Sequence, residues 1–358
     1  MRMNARDRQW LLELAEKHPT PFWVLLPRSA QARYFELSDA FRPIARTLQV
    51  FYSVKTNPHP HILSSLDGME SGFECVSLRE LDSVASFSRP KIFNSCAPSD
   101  DEIRSALHQK AWIVVDSLSM AEKVSRLAES KPLKVGIRVR LDTHRFGFAP
   151  SELGPAMASL EKLGLSPVLL HAHPGTNCSL SQYRSFISSV SSLCVDFPSF
   201  EVLDLGGGFP GKTGLLERKN RVEDYAAIVR EQLGDFLQSR TLFLESGRFL
   251  CEDAMILITR VRSIKHVEGR PFALLDAGIN LLPRIAMSPF RFFPLSESGS
   301  RSHVFRLGGP LMFGSDELGQ LSGKLGEGDF LAVENCGAYC TELAWRLSMD
   351  IPRILSID

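Results

Sequence analysis

Between residues 51 and 247, short apolar segments recur, separated by stretches that mix polar and apolar residues at helical spacing. They read FYSVK (51–55), FECVS (73–77), KIFNS (91–95), AWIVVD (111–116), KVGIRVRL (134–141), VLLHAHP (168–174), EVLDLGG (201–207) and TLFLESG (241–247). Their β-branched and aromatic content is that of short buried strands. Eight strand–helix repeats in about 200 residues predict an α/β chain closed into a (β/α)8 TIM-like barrel, in preference to an open doubly wound sheet.

After residue 250 the texture changes. ILITRVRSIKHV, PFALLDAGIN, HVFRLGGP and DFLAVENCGAYC alternate or run apolar between Gly/Pro turns, as in an antiparallel β domain. Near the start, residues 4–17 place Trp10, Leu11, Leu14 and Ala15 on one face of an amphipathic helix. Thr20-Pro21 then opens a strand, PFWVLL, that suits the same β domain, and a helix follows over 29–41. The expected organisation is a barrel over 28–250 and a C-terminal antiparallel β domain, a β-sandwich or β-barrel, built from 1–27 and 251–358.

Composition narrows the function. The 358 residues carry no formal net charge, which leaves no electrostatic footprint for nucleic acid or an anionic membrane surface. No apolar run approaches the ~20 residues of a membrane helix, and the polar start MRMNARDRQW has no signal-peptide core. Seven scattered cysteines suit free thiols in a reducing, cytoplasmic setting.

In such a barrel the functional residues come from the C-terminal ends of the strands. Lys55 is placed at one such tip, where an apolar pocket would ease loss of its proton and make it an amine nucleophile; a lysine snorkelling at a strand edge is the alternative. Gly206, Gly207 and Gly208 end another strand, and their backbone N–H groups can converge on a phosphate, or simply make a flexible turn. Their spacing is not the dinucleotide fingerprint. Glu245 and Arg248 could each meet a different part of a charged ring cofactor, or form a local ion pair. His171 and His173 share one side of a strand. As a metal pair they lack an evident third ligand, so no metal is expected, and stacking on a flat ring suits one of them better. His59 and His61 look like loop residues, and Cys336 and Cys340 are too few for zinc.

Taken in order, these motifs resemble the pyridoxal-phosphate-dependent amino acid decarboxylases of the ornithine, diaminopimelate and arginine type, with their alanine-racemase-like barrel. The likeness runs from Thr20-Pro21-Phe22 to Gly337-Ala338-Tyr339. It implies pyridoxal 5′-phosphate (PLP) as cofactor and Lys55, in Tyr52-Ser53-Val54-Lys55-Thr56-Asn57, as the Schiff-base lysine. Ser77 and Glu80 fit the motif of the next strand. The likeness further implies that His173 stacks on the cofactor ring, with Thr176 near the phosphate in place of the usual serine. Gly206, Gly207, Gly208, Gly247, Arg248 and Tyr339 match phosphate contacts, with Ser246 in place of a proline. Glu245 matches the acid at the pyridine nitrogen; racemases of this fold resemble a design with arginine there, so Glu245 favours decarboxylation.

The departures lie in the substrate loop, Gly309-Pro310-Leu311-Met312-Phe313-Gly314-Ser315-Asp316. Met312 stands where the family has a proton-donating cysteine, and a thioether has no proton to give. Phe313 replaces a residue that is often a carboxylate in diamine-specific members, whereas Asp316 is kept. The family's Phe-Asn after the Gly-Ala-Tyr motif is also missing, Leu347-Ser348 occupying that region. The resemblance thus implies a kept cofactor site and an altered substrate site. Cys336 or Cys340 could supply the missing proton, and Arg284 could face the substrate. The expected enzyme is a PLP-dependent decarboxylase of an amino acid or amino-acid conjugate, working as a homodimer whose Asp316 loop completes the neighbour's site. A racemase or epimerase, or a silent regulatory homologue, are the alternatives.

Overall fold

The computed structural model describes residues 5–129, 132–283, 285 and 290–357. The chain divides into two compact units, one over Ala30–Leu250 and the other formed by the residues up to Ser29 together with those from Cys251 onward.

The first strand, β1 (Phe22–Leu25), belongs to the second unit. The first unit is a closed barrel of eight parallel strands. They are β2 (Thr47–Ser53), β3 (Gly72–Cys75), β4 (Lys91–Phe93), β5 (Trp112–Val115), β6 (Leu133–Val139), β7 (Leu165–Ala172), β8 (Val202–Asp204) and β9 (Thr241–Ser246). Every predicted strand is present, and each is followed by a helix, because no strand can pair in parallel with the next without a crossover. Helices start where the sequence supplies caps. Ser99 with Glu102 and Ser179 with Gln182 form capping boxes for Asp100–His108 and Leu180–Asp196. Inside the barrel Phe51, Ile92, Val114, Leu169, Val202 and Phe243 form one apolar cluster with Trp112 against it, so the interior is filled rather than open. Polar side chains gather instead at the C-terminal ends of the strands.

Lys55 departs from its predicted place. Strand β2 ends at Ser53, and Lys55 lies in the 3-10 turn Val54–Thr56, two residues beyond it. The Pro-bounded turn expected at the strand end begins that much earlier.

In the second unit, β10 (Met255–Val267) is the organising strand. It pairs antiparallel with β1, with β11 (Arg270–Leu275) and with β15 (Phe330–Glu334). The remaining strands are β12 (Arg291–Pro294), β13 (His303–Gly308), β14 (Glu317–Gly323) and β16 (Ile354–Ser356). The expected antiparallel pairing dominates, but β11–β13 and β1–β16 are parallel, so the sheet is mixed. The helix Ala5–Lys17 buries Leu11 and Ala15 in a cluster with Phe22, Val24, Ile258, Leu295 and Ala332. Its predicted face is the one that packs.

Candidate active site

Seven side chains from six strands and their following turns meet at the C-terminal end of the barrel. Lys55 comes from the turn after β2, Glu74 from β3, Asn94 from just after β4, Arg138 from β6, His171 from β7, and Glu245 from β9. His173 follows β7 by one residue. Strand alternation aims the inward residues of every strand at the same axis.

Lys55 is not in an apolar pocket. Its Nζ donates to both oxygens of Glu74, at 2.8 and 2.7 Å. The Lys55 side chain keeps 41% of its exposure, whereas that of Glu74 keeps 1%. The carboxylate is therefore the buried partner, and a neighbouring carboxylate stabilises the lysine as an ammonium.

Glu245 is 5% exposed. Its Oε2 accepts from Asn94 Nδ2 at 3.4 Å and lies 3.4 Å from His171 Nε2. The same Asn94 nitrogen is 3.1 Å from His171 Nε2, and Arg138 Nη1 donates to Asn94 Oδ1 at 3.2 Å. Burial by itself would raise the Glu245 pKa. The charge and hydrogen bond of His171, then the charge of Lys55, overcome that and pull it down to about 2. Glu245 is thus an ionised carboxylate at neutral pH. His173 behaves oppositely: burial, then His171, push its pKa down to about 3, so its ring is neutral. A neutral aromatic ring is the form suited to stacking on a cofactor.

The glycines are required by contact and by conformation. Gly206 and Gly208 have φ of +60° and +83°, where a side chain is strained. A Cβ at Gly207 would lie 2.3 Å from Glu245 O, and one at Gly247 would lie 2.1 Å from Thr56 Oγ1. Two of the three N–H groups predicted to converge on an anion have partners within the chain. Gly206 N–H donates to Asp204 Oδ1 at 2.8 Å and Gly207 N–H to His173 Nδ1 at 3.3 Å. Beside them, Arg248 is buried and opens the short helix Arg248–Cys251, and Thr176 is exposed.

Other predicted residues take structural roles. Ser77 caps the helix Leu78–Ser83 and Glu80 returns a bond to Val76 N at 2.9 Å. His59 caps the helix Pro60–Asp67. Asp204 and Glu245 each bring a carboxylate oxygen to within 4.8 Å of a His171 ring nitrogen and of one another, a grouping not expected from the sequence and one that leaves out His173.

In the second unit, Tyr339 sits at φ 66°, in the left-handed region, at the start of the short helix Cys340–Leu343. Met312 is 99% exposed and Phe313, also exposed, lies 6.1 Å from the Trp345 ring. Asp316 is buried, and its carboxylate accepts from Ile279 N and Leu311 N, both at 2.8 Å, so it organises its own loop. Cys336 and Cys340 are buried, and Cys336 Sγ donates to Val333 O at 3.3 Å, so neither thiol offers an exposed proton. Arg284 lies outside the described residues.

The family model for the pyridoxal-dependent decarboxylases, pyridoxal binding domain, matches residues 30–252, more than half of the chain. The chain belongs to this family. It is a PLP-dependent amino acid decarboxylase, and PLP is its cofactor. A diaminopimelate decarboxylase of Methanothermobacter thermautotrophicus is 28% identical, over 92% of this chain and 84% of that protein. Among solved structures, a lysine/ornithine decarboxylase from Vibrio vulnificus complexed with putrescine superposes with a TM-score of 0.87 at 20% identity, covering 99% of each chain. A diaminopimelate decarboxylase from M. jannaschi gives 0.87 at 24% identity, over 97% of this chain and 89% of that one. These superpositions show the fold.

The residues at the barrel mouth fit the cofactor. Glu245 Oε1 is a buried acceptor with no hydrogen-bond partner among the described residues, suited to a protonated ring nitrogen. The glycine turn packs its backbone directly against His173, Pro174 and Glu245, where a Cβ would not fit. No single sequence signal marked Asn94 or Arg138. Glu74 and Asp204 did carry one, since a carboxylate inside an apolar strand is seldom buried without a partner.

Proposed function

We propose that Lys55 anchors PLP at the barrel mouth and that the enzyme removes the α-carboxyl group of an amino acid whose side chain does not end in an ammonium group. What supports this reading most is the pairing of functions on neighbouring strands: a lysine held by Glu74, and an ionised Glu245 held by Asn94 and His171.

Bound PLP supplies an aldehyde for amines and a protonated ring that withdraws electrons from the α-carbon as CO2 leaves. The chain's own residues do the rest. Glu74, which accepts from Lys55 Nζ through both oxygens, would keep the free amine near the reacting centre. Glu245, charged at neutral pH, holds the proton on the ring nitrogen. His173, neutral, would lie against the ring face on the family likeness. Gly206, Gly207, Gly208, Gly247, Arg248 and Tyr339, with Thr176 nearby, are assigned to the phosphate on the family likeness, although the N–H groups of Gly206 and Gly207 are held within the chain by Asp204 and His173.

The loop 309–316 is assigned to substrate on the same likeness. Met312 and Phe313 present a thioether and a ring instead of a thiol and a carboxylate, which removes one counter-charge for a distal ammonium and favours a neutral side chain. Exposure of both residues suits a loop completed by a second copy in a homodimer, which sedimentation would test. Seven free cysteines, six of them buried, suit a cytoplasmic enzyme. Among the described residues no helix is long and apolar enough to cross a membrane.

The test is visible absorption of the purified protein, followed by borohydride reduction and peptide mass mapping. The expected result is a yellow protein with the cofactor fixed to Lys55, and CO2 release faster from amino acids with neutral side chains than from lysine or ornithine. A protein that binds no PLP, or one that exchanges the α-proton without releasing CO2, would overturn the proposal.

A further inference from the structure

Behind Glu245 lies a second buried carboxyl group. Asp204, the last residue of β8, is fully buried and sits among Glu245 and His171, each offering an atom within 4.8 Å of the others. Asp204 Oδ1 accepts from Gly206 N, and Glu245 Oε2 from Asn94 Nδ2. The other oxygen of each, Asp204 Oδ2 and Glu245 Oε1, is buried with no hydrogen-bond partner among the described residues. Two ionised carboxylates buried this close together would repel strongly. A single proton removes the repulsion and supplies a donor to Glu245 Oε1, whose second lone pair stays available to a ring nitrogen.

The surroundings decide which group carries it. Glu245 has His171 and the Asn94 amide on Oε2, whereas Asp204 has one backbone N–H. The Asn94 amide cannot turn round, because Arg138 has only donors to offer and holds Asn94 Oδ1. Nδ2 therefore always faces Glu245. Burial, then the charge of Glu245, push the Asp204 carboxyl well up.

We propose that Asp204 works as a buried carboxylic acid that donates a hydrogen bond to Glu245, and that Asp204 and the Arg138-anchored Asn94 together fix Glu245 in its charged form and orientation. Asp204 and Asn94 are positioning residues acting through Glu245. Their effect on the cofactor rests on the reading of Glu245 as partner of the ring nitrogen.

The deciding measurement is the infrared spectrum of protein carrying carboxyl-13C aspartate, without and with PLP. Wild-type apoprotein is expected to show a protonated-carboxyl band at neutral pH that is absent from Asp204→Asn. The band difference isolates Asp204 from Asp116, whose carboxyl is also pushed up by burial. Asparagine keeps both an acceptor for Gly206 N–H and a donor for Glu245. Asp204→Asn should therefore bind PLP within about threefold of wild type, whereas Asp204→Leu should weaken it about tenfold or more and alter the bound absorption spectrum. Asn94→Leu should alter that spectrum in the same direction. Absence of the band, or an Asp204→Asn variant as impaired as Asp204→Leu, would overturn the proposal. Should Asp204→Leu fail to fold, the wild-type and Asp204→Asn spectra still decide. If PLP does not attach at Lys55, the reading of Glu245 falls, but the apoprotein band still reports on Asp204.

Discussion

Lys55→Met tests whether the ammonium is there to neutralise Glu74. Both Glu74 oxygens accept from Nζ, at 2.8 and 2.7 Å, and the Glu74 side chain is 1% exposed while that of Lys55 is 41% exposed. Removing one partner of a wholly buried pair costs about 3–5 kcal/mol, because a charge is stranded. Here water reaches the lysine side, so screening reduces the expected cost of Lys55→Met in the apoprotein to about 2 kcal/mol. Glu74→Gln keeps an acceptor and should cost about 1 kcal/mol. The double variant strands no charge and should also cost about 1 kcal/mol, so the two changes couple by about 2 kcal/mol. Urea unfolding of the four apoproteins, followed by two probes to verify a single transition, measures this. Additivity within about 0.5 kcal/mol would refute the argument that Lys55 neutralises a buried Glu74.

Gly247→Ala places a Cβ 2.1 Å from Thr56 Oγ1 and should cost about 1–3 kcal/mol with weakened PLP binding, read by urea unfolding and cofactor titration. On the proposed role of Glu245 at the ring nitrogen, Glu245→Gln should retain PLP yet lower kcat about 100-fold or more; steady-state CO2 release measures it. For His173 the folded pKa of about 3 lies below the ordinary 6.5, so between those values the unfolded chain binds a proton that the folded chain does not. Wild type should therefore lose stability relative to His173→Gln as pH falls from 6.5, by up to about 1.4 kcal/mol per unit. Comparing the two between pH 4.5 and 6.5 keeps the measurement above the range where Glu245 titrates. Asp316→Ala removes the acceptor of two backbone N–H groups and should destabilise by about 1–3 kcal/mol in urea, without changing PLP attachment at Lys55.

The repeat of eight apolar strands was legible because parallel barrel strands are buried on both faces and so read as apolar runs whatever their partners. The N-terminal helix was legible for a similar reason, since its apolar stripe is a local pattern. The end of β2 was misplaced because Val54 continues the apolar run although the backbone has already turned into Val54–Thr56. The parallel β11–β13 and β1–β16 pairings carry no local mark, since alternation reports a face and not a direction.

The sequence by itself determined the repeat, the residue types at the strand ends, and hence the lysine, the glycine turn and the acid that together resemble one family. Which charges those residues bear was decided only by the tertiary structure. Lys55 reads as an apolar-pocket nucleophile until Glu74, 19 residues away, is found on its ammonium. Glu245 is held by Asn94, 151 residues away, and has Asp204 behind it on the adjacent strand. Protonation depends on burial and on the charges within a few ångströms, and in a closed barrel those neighbours come from strands far apart in the chain.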